Sequence, residues 1–278
     1  MFKFRIIGFT LLMALLGGIF FWDAGGKWLF LAAAPALVAA AIGECCSMLK
    51  RSGRPAWVLP TAVSVWVITM LILLIISGTA WFLKCALPVL AVILILAGNV
   101  SLLTMKPQIM EKFFTSSGVA VALAPSLIML LATYFIKTAP APGYWLLFLC
   151  LVTKATDTGG YIVGTLTSKL PGGNHKIAPK VSPKKSWEGL AGGMLLSLAV
   201  SWAFYCLAPA ASVKWYIISA LVLSLGSFFG DLTESAIKRF CDIKDSGSFV
   251  PGMGGAFDVL DSFIYNGLLF WLLYFYVR

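Results

Sequence analysis

Asp231, Asp258 and Asp261 stand at the ends of long apolar runs, on either side of a polar stretch that opens Ser235-Ala236-Ile237-Lys238-Arg239 and closes Pro251-Gly252-Met253-Gly254-Gly255. A carboxylate at the centre of a lipid-facing helix costs about 2.5–3.5 kcal/mol on insertion scales, so acids kept beside such runs need a physical reason. Asp258 and Asp261 are three positions apart, and Asp231, Ser235 and Lys238 follow an i, i+4, i+7 spacing, so each set is expected on one helix face. Hard divalent cations such as Mg²⁺ take carboxylate and phosphate oxygens. Three acids from two helices would hold metal while Lys184, Lys185, Lys238 and Arg239 neutralise phosphates. The plainer reading of Asp258 and Asp261, carboxylates favoured by a helix N-terminus, leaves Asp231 and the neighbouring glycines unexplained.

Two upstream segments carry related chemistry. Lys154 and Asp157 share a helical face and can neutralise each other, while Thr156, Thr158, Gly159, Gly160 and Gly164 let a backbone or a ligand come close. Residues 165–187 form a basic loop. Within it, Ser182-Pro183-Lys184-Lys185-Ser186-Trp187-Glu188-Gly189 sets hydroxyls, paired ammonium groups and a helix start side by side, a combination suited to phosphate oxygens.

The elements that must position these residues are membrane helices. Sixty per cent of the residues are hydrophobic and 12% are charged, outside the range of soluble domains. About nine apolar runs reach spanning length, near 6–22, 28–48, 57–77, 85–105, 117–136, 144–164, 188–208, 213–233 and 254–276. The alternating pattern of a transmembrane β-barrel is absent, so an all-α polytopic bundle is expected. Cations cluster in alternate connections (Lys50, Arg51 and Arg54; Lys106 and Lys112; Lys169 to Lys185; Lys238, Arg239 and Lys244), while the others hold single lysines. That asymmetry predicts an inside amino terminus and an outside carboxyl terminus. It also accounts for most of the +10 formal charge without nucleic acid. Asp157, Asp231, Asp258 and Asp261 are thereby expected at one inner membrane level.

The six cysteines show neither paired nor metal-ligand spacing, and the lone His175 argues against a histidine zinc site. Phe21 and Trp22 stand where a signal-peptide cleavage site would need small residues, so the first run is expected to be retained. Residues 1–140 hold few acids and read as a transmembrane scaffold. Residues 141–278 hold the other acids and both long inside loops, and read as the catalytic region. Glu44, at the inside end of its run, is expected to pair with Lys50 or Arg51, and Asn99 to hydrogen-bond between helices.

The later motifs resemble the phosphatidate cytidylyltransferase, or CDP-diacylglycerol synthase, family. The resemblance rests on Ser235-Ala236-Ile237-Lys238-Arg239, four residues, Lys244-Asp245-Ser246-Gly247, then Pro251-Gly252-Met253-Gly254-Gly255-Ala256-Phe257-Asp258-Val259-Leu260-Asp261. Asp157-Thr158-Gly159-Gly160-Tyr161 and Ser182 to Gly189 are similar to the family's upstream motifs. Met253 stands where the family usually has His, and Val259 where it usually has Arg. The resemblance implies Mg²⁺-dependent transfer of CMP from CTP to phosphatidate in the cytoplasmic membrane, with the active site facing the cytoplasm. It implies Asp231, Asp258 and Asp261 as metal ligands, with room for a second, monovalent or divalent, cation. Lys238 and Arg239 would bind phosphates, Ser182, Lys184 and Lys185 would hold CTP or the lipid headgroup, and Asp157 would join the same polar cavity. Membrane lipid is the expected surrounding, and a homodimer is compatible.

Three rival readings exist. A transporter would place its charge near the midplane rather than at the inside ends of spans, and no internal repeat supports one. A lipid-alcohol kinase using CTP or another nucleotide would share the hydrophobicity and basic loops, and the Lys-Arg to Asp-x-x-Asp signature disfavours it. An inactive family member would act as a membrane partner, the reading that Met253 and Val259 raise.

Overall fold

The computed structural model describes residues 14–15, 17–22, 25–76, 107–138, 140–243, 246–247 and 254–277. The runs near 6–22 and 85–105 fall largely or wholly outside them, as do Asn99, Lys244, Asp245, Pro251, Gly252, Met253 and Arg278. The elements are α1 (Gly26–Arg51), α2 (Val58–Ile76), α3 (Pro107–Ala132), a 3₁₀ turn (Thr133–Phe135) and α4 (Tyr144–Thr167). There follow β1 (Lys176–Ala178), β2 (Ser182–Ser186), α5 (Trp187–Leu207), α6 (Val213–Phe240), α7 (Ala256–Leu260), a second 3₁₀ turn (Asp261–Phe263) and α8 (Asn266–Tyr276).

Six stretches among the described residues are helical, long and apolar enough to cross a membrane, and α2 adds a shorter apolar helix. The chain is therefore of the helical membrane-spanning type. Two of the sequence expectations are corrected here. The 165–187 loop contains an antiparallel hairpin, with Lys176 opposite Ser186 and Ala178 opposite Ser182. The ninth run is not one continuous helix but α7, a 3₁₀ turn and α8. Asp258 and Asp261 consequently do not share the face of a single α-helix. The cause is local: the Ser262 N–H donates to Asp261 Oδ1 at 2.5 Å, and a side chain that takes a backbone donor competes with the helical ladder.

Two compact units are present, one of described residues up to Ile128 with Cys241–Val259, the other of Met129–Phe240 with Leu260 onward. In the first, α1 packs on α2, and a Cβ on Gly43 would lie 3.1 Å from the Ala62 Cβ. Glu44 does not turn to Lys50 or Arg51 among the described residues. Its Oε2 accepts from Ser246 Oγ (3.1 Å) and from the Phe257 amide (3.0 Å), while Arg51 donates to the Ser246 carbonyl (2.8 Å).

The second unit is built on α4, α5, α6 and α8. Within lipid there is little hydrophobic drive between helices, so close packing and hydrogen bonds must hold them. The glycines supply the first: a Cβ on Gly159 would sit 2.5 Å from the Gly192 carbonyl oxygen, and one on Gly193 2.7 Å from the Thr156 carbonyl oxygen. Helices α4 and α5 therefore meet backbone to backbone. Hydroxyls supply the second, with Ser197 2.5 Å from Ser224, Thr156 donating to Ser224 (3.1 Å) and Ser201 donating to the Tyr216 carbonyl (2.7 Å). At the other end of these helices Trp145, Phe148, Trp215 and Phe270 are fully buried and meet at centroid distances of 5.0–6.1 Å, pairs worth about 0.5–1.5 kcal/mol each beyond area burial. The Trp215 indole donates to the Leu273 carbonyl at 3.1 Å, tying α6 to α8.

Candidate active site

Three acids of the second unit converge on Ser262. Its Oγ lies 2.8 Å from Asp157 Oδ2, 2.9 Å from Asp231 Oδ1 and 2.9 Å from Asp261 Oδ1. Each acid arrives for a different reason. Asp157 projects from α4, and its other oxygen accepts from Ser227 Oγ on α6 (2.7 Å). Asp231 is carried by α6, which continues as one helix to Phe240. Asp261 opens the 3₁₀ turn, which packs against α6 so tightly that a Cβ on Gly230 would lie 2.3 Å from the Asp261 carbonyl oxygen. Gly226, one turn earlier, gives equal room to the Asn266 side chain.

Two lysines answer the acids. Lys154 donates to Asp157 Oδ2 (3.0 Å) and to Ser262 Oγ (3.1 Å), and its ammonium lies 5.1 Å from the Phe263 ring centroid. Lys185, from the end of β2, forms an ion pair with Asp231 Oδ2 and lies over the Phe228 ring. A serine hydroxyl has one proton, so it can donate to only one of three carboxylates at a time. The other two oxygens then face its lone pairs and depend on nearby positive charge. Three carboxyl groups and two ammonium groups are thus gathered in one part-buried cluster.

A cavity of about 300 Å³ opens beside these groups, lined by Asp157, Asp231, Lys176, Lys184, Lys185 and Ser186 among others. Its walls come from α4, the hairpin, α5 and α6. Ser186 caps α5 by accepting from the Gly189 amide (3.1 Å), and Asn174 donates to the Gly164 carbonyl (2.8 Å), so the basic hairpin is pinned over the glycine-rich α4–α5 contact. His175 and Glu188 add a second clamp, Nδ1 to Oε1 at 2.6 Å. The cavity rim includes Tyr161, which is 75% exposed, an apolar surface beside cationic depth.

Among the sequence-derived candidates, Asp157, Asp231, Asp261 and Lys185 form one cluster, and Lys184 lines the cavity beside it. Ser182 lies in β2 opposite Ala178 and does not line the cavity. Lys238 forms an ion pair one turn back with the buried Glu234 rather than joining Asp231, and Arg239 is solvent-exposed. Asp258 belongs to the first unit, where its Oδ2 accepts from the Gly255 amide (2.8 Å). Sequence reasoning missed Ser262, Ser227 and Lys176 as site residues. Ser227 had a usable signal, since it lies one turn before Asp231. Ser262 had only its place beside Asp261.

No three acidic, histidine or cysteine side chains among the described residues stand ready as a metal cage. The donor chemistry nevertheless fits a hard cation. Asp231 and Asp261 each present an oxygen within 2.9 Å of the same hydroxyl, and carboxylate oxygens are the ligands such a cation takes.

The second unit thus joins membrane-type helices to a part-buried acid–lysine cluster beside a cavity that three lysines line. The model of the cytidylyltransferase family matches residues 3–277, and the chain belongs to that family. It is similar to proteins named phosphatidate cytidylyltransferase from Bacillus subtilis strain 168 (38% identity over 136 residues) and Staphylococcus saprophyticus (38% over 133 residues). The one from Staphylococcus aureus strain COL is 37% identical over 133 residues. In each case the match covers 48% of this chain and 49% of the relative, so the chain spans about half the length of the curated relatives it matches.

Proposed function

We propose that the chain is an integral-membrane nucleotidyltransferase that moves CMP from CTP to phosphatidate, giving CDP-diacylglycerol and pyrophosphate. The observation that carries this reading is the convergence of Asp157, Asp231 and Asp261 with Lys185 beside a cavity lined by Lys176 and Lys184. Family membership and the names of the relatives support the substrates. A phosphatidate oxygen attacks the α-phosphorus of CTP. The new P–O bond forms as the bond to the β-phosphate bridge breaks, and pyrophosphate leaves with the electron pair. The nucleophile is already anionic, so positioning and charge neutralisation supply most of the rate. Lys176, Lys184 and Lys185 neutralise phosphate oxygens, and Lys238 and Arg239 stand on the same helix as Asp231 to receive further phosphate charge. Asp231 and Asp261, with Asp258 three residues earlier, would hold Mg²⁺, which would screen the leaving pyrophosphate. Lys185 must then exchange Asp231 for phosphate, and Ser262 must yield one carboxylate.

Purified full chain in detergent, given labelled CTP, phosphatidate and Mg²⁺, is expected to move label into the lipid phase. Lys185→Ala is expected to raise the KM of one substrate at least about tenfold, the loss of one charge-assisted contact. Absence of lipid labelling by the native chain would remove the assignment.

Nine spans, an inside amino terminus and a cytoplasm-facing site in the inner membrane complete the proposal, motivated by the alternating cation count. Single cysteines introduced at Lys180 and Lys244 are expected to react with an impermeant thiol reagent from the same side. Labelling from opposite sides would sink the shared inner face.

A further inference from the structure

We infer that Glu44, far from the signature segment in sequence, is a positioning residue that holds the Asp258 carboxylate in place by capping α7 from another helix. This rests on the proposed catalytic reading of Asp258. The short helix α7 begins after Gly255, a residue with no side chain to satisfy the first amides, and helix starts require such acceptors. One is supplied from within: Asp258, at the third helical position, reaches back to the Gly255 amide (2.8 Å), half of a reciprocal capping arrangement. The other half comes from α1. Glu44 Oε2 accepts from the Phe257 amide at 3.0 Å and from Ser246 Oγ at 3.1 Å.

The fit leaves no slack. A Cβ on Gly255 would lie 2.1 Å from Glu44 Oε2, and one on Gly247 would lie 2.3 Å from Glu44 Oε1. The glycines of the signature segment therefore make room for this carboxylate, and Gly254, at φ +103°, turns the chain into the helix. Arg51, two turns further along α1, donates to the Ser246 carbonyl (2.8 Å). One face of α1 thus grips both described ends of the segment, and Asp258 follows the gripped Phe257 directly.

The test compares Glu44→Gln, Glu44→Ala and the space-filling Glu44→Met in the full chain. Gln keeps an acceptor oxygen, whereas Ala and Met remove it. Turnover and its Mg²⁺ dependence are measured together with hydrogen–deuterium exchange of the peptide covering residues 254–260. Ala is expected to lose at least about tenfold in turnover, to need more Mg²⁺ and to exchange faster at 254–260, in line with a lost cap and a displaced acid. Gln is expected to stay within about threefold of the native chain with native exchange. Met replaces Ala as the readout if Ala is not recovered folded. Native turnover and exchange in the variants without an acceptor overturn the inference, as does a Gln variant as impaired as Ala, which would mean that charge rather than capping matters. An inactive native chain whose exchange still rises in Glu44→Ala would instead sink the enzyme assignment and leave the cap standing.

Discussion

On the proposed reading, Asp231→Asn and Asp261→Asn are each expected to lower CTP-dependent labelling of phosphatidate by at least about a hundredfold, the scale on which removal of one transition-state-stabilising group is felt. Both acids share Ser262 and lie beside two lysines. Replacing either with a neutral amide removes one anionic oxygen ligand that a hard cation would take. The proposed Mg²⁺ is then expected to bind more weakly even though the amide keeps an oxygen in place. The fold is expected to survive, because the isosteric amide keeps an acceptor oxygen for Lys185 and Ser262 in a cluster that is only part-buried. The check is turnover against Mg²⁺ concentration in variants that elute from detergent like the native chain. Turnover within about threefold of native at limiting Mg²⁺ would take that acid out of the metal site.

Gly230→Ala is the second large effect, and its sign is opposite to what helix propensity predicts. An alanine in a helix interior is favoured over glycine by about 1 kcal/mol. Here the added methyl would meet the Asp261 carbonyl oxygen, a backbone atom that cannot swing aside as a side chain can. Either α6 or the 3₁₀ turn must move, at an overpacking cost of roughly 1–3 kcal/mol, and the turn carries Asp261. Turnover is expected to fall at least about tenfold, because small misplacements of a catalytic group are costly, with a lower thermal midpoint. Gly118→Ala is the control, since its Cβ meets nothing within 4 Å, and it is expected to be neutral or stabilising. A Gly230→Ala chain as active and as stable as the native one would show that the turn is free to shift without consequence.

Much of this molecule is local in origin and could be read along the chain. Runs of about 20 apolar residues become helices in lipid because no other open structure satisfies the backbone there. That is why the runs at 28–48, 144–164, 188–208 and 213–233 match α1, α4, α5 and α6. The Lys154–Asp157 pair is also local, set by an i, i+3 spacing. The glycines of 159–164 and 189–193 were legible as sites of close approach, since lack of a side chain is a property of the residue itself.

Partner choice was not legible. Lys238 had two acids within helical reach, Asp231 and Glu234, and the structure pairs it with Glu234 while Asp231 takes Lys185 from the hairpin, 46 positions away. Glu44 had basic neighbours at Lys50 and Arg51, yet it binds groups 202 and 213 residues along the chain.

Residue types and periodicity determined by themselves which segments are helices, that they are suited to a membrane, and that acids and cations occur at helix ends in a family pattern. Tertiary structure alone decided that Asp157, Asp231 and Asp261 share a serine hydroxyl, that the ninth run breaks at Asp261, and that a glutamate of α1 caps α7. The physical reason is the range of the forces. Propensity and hydropathy act within a few residues, whereas a hydrogen bond or ion pair in a low-dielectric interior is strong enough to select its partner from anywhere the packing brings within about 3 Å.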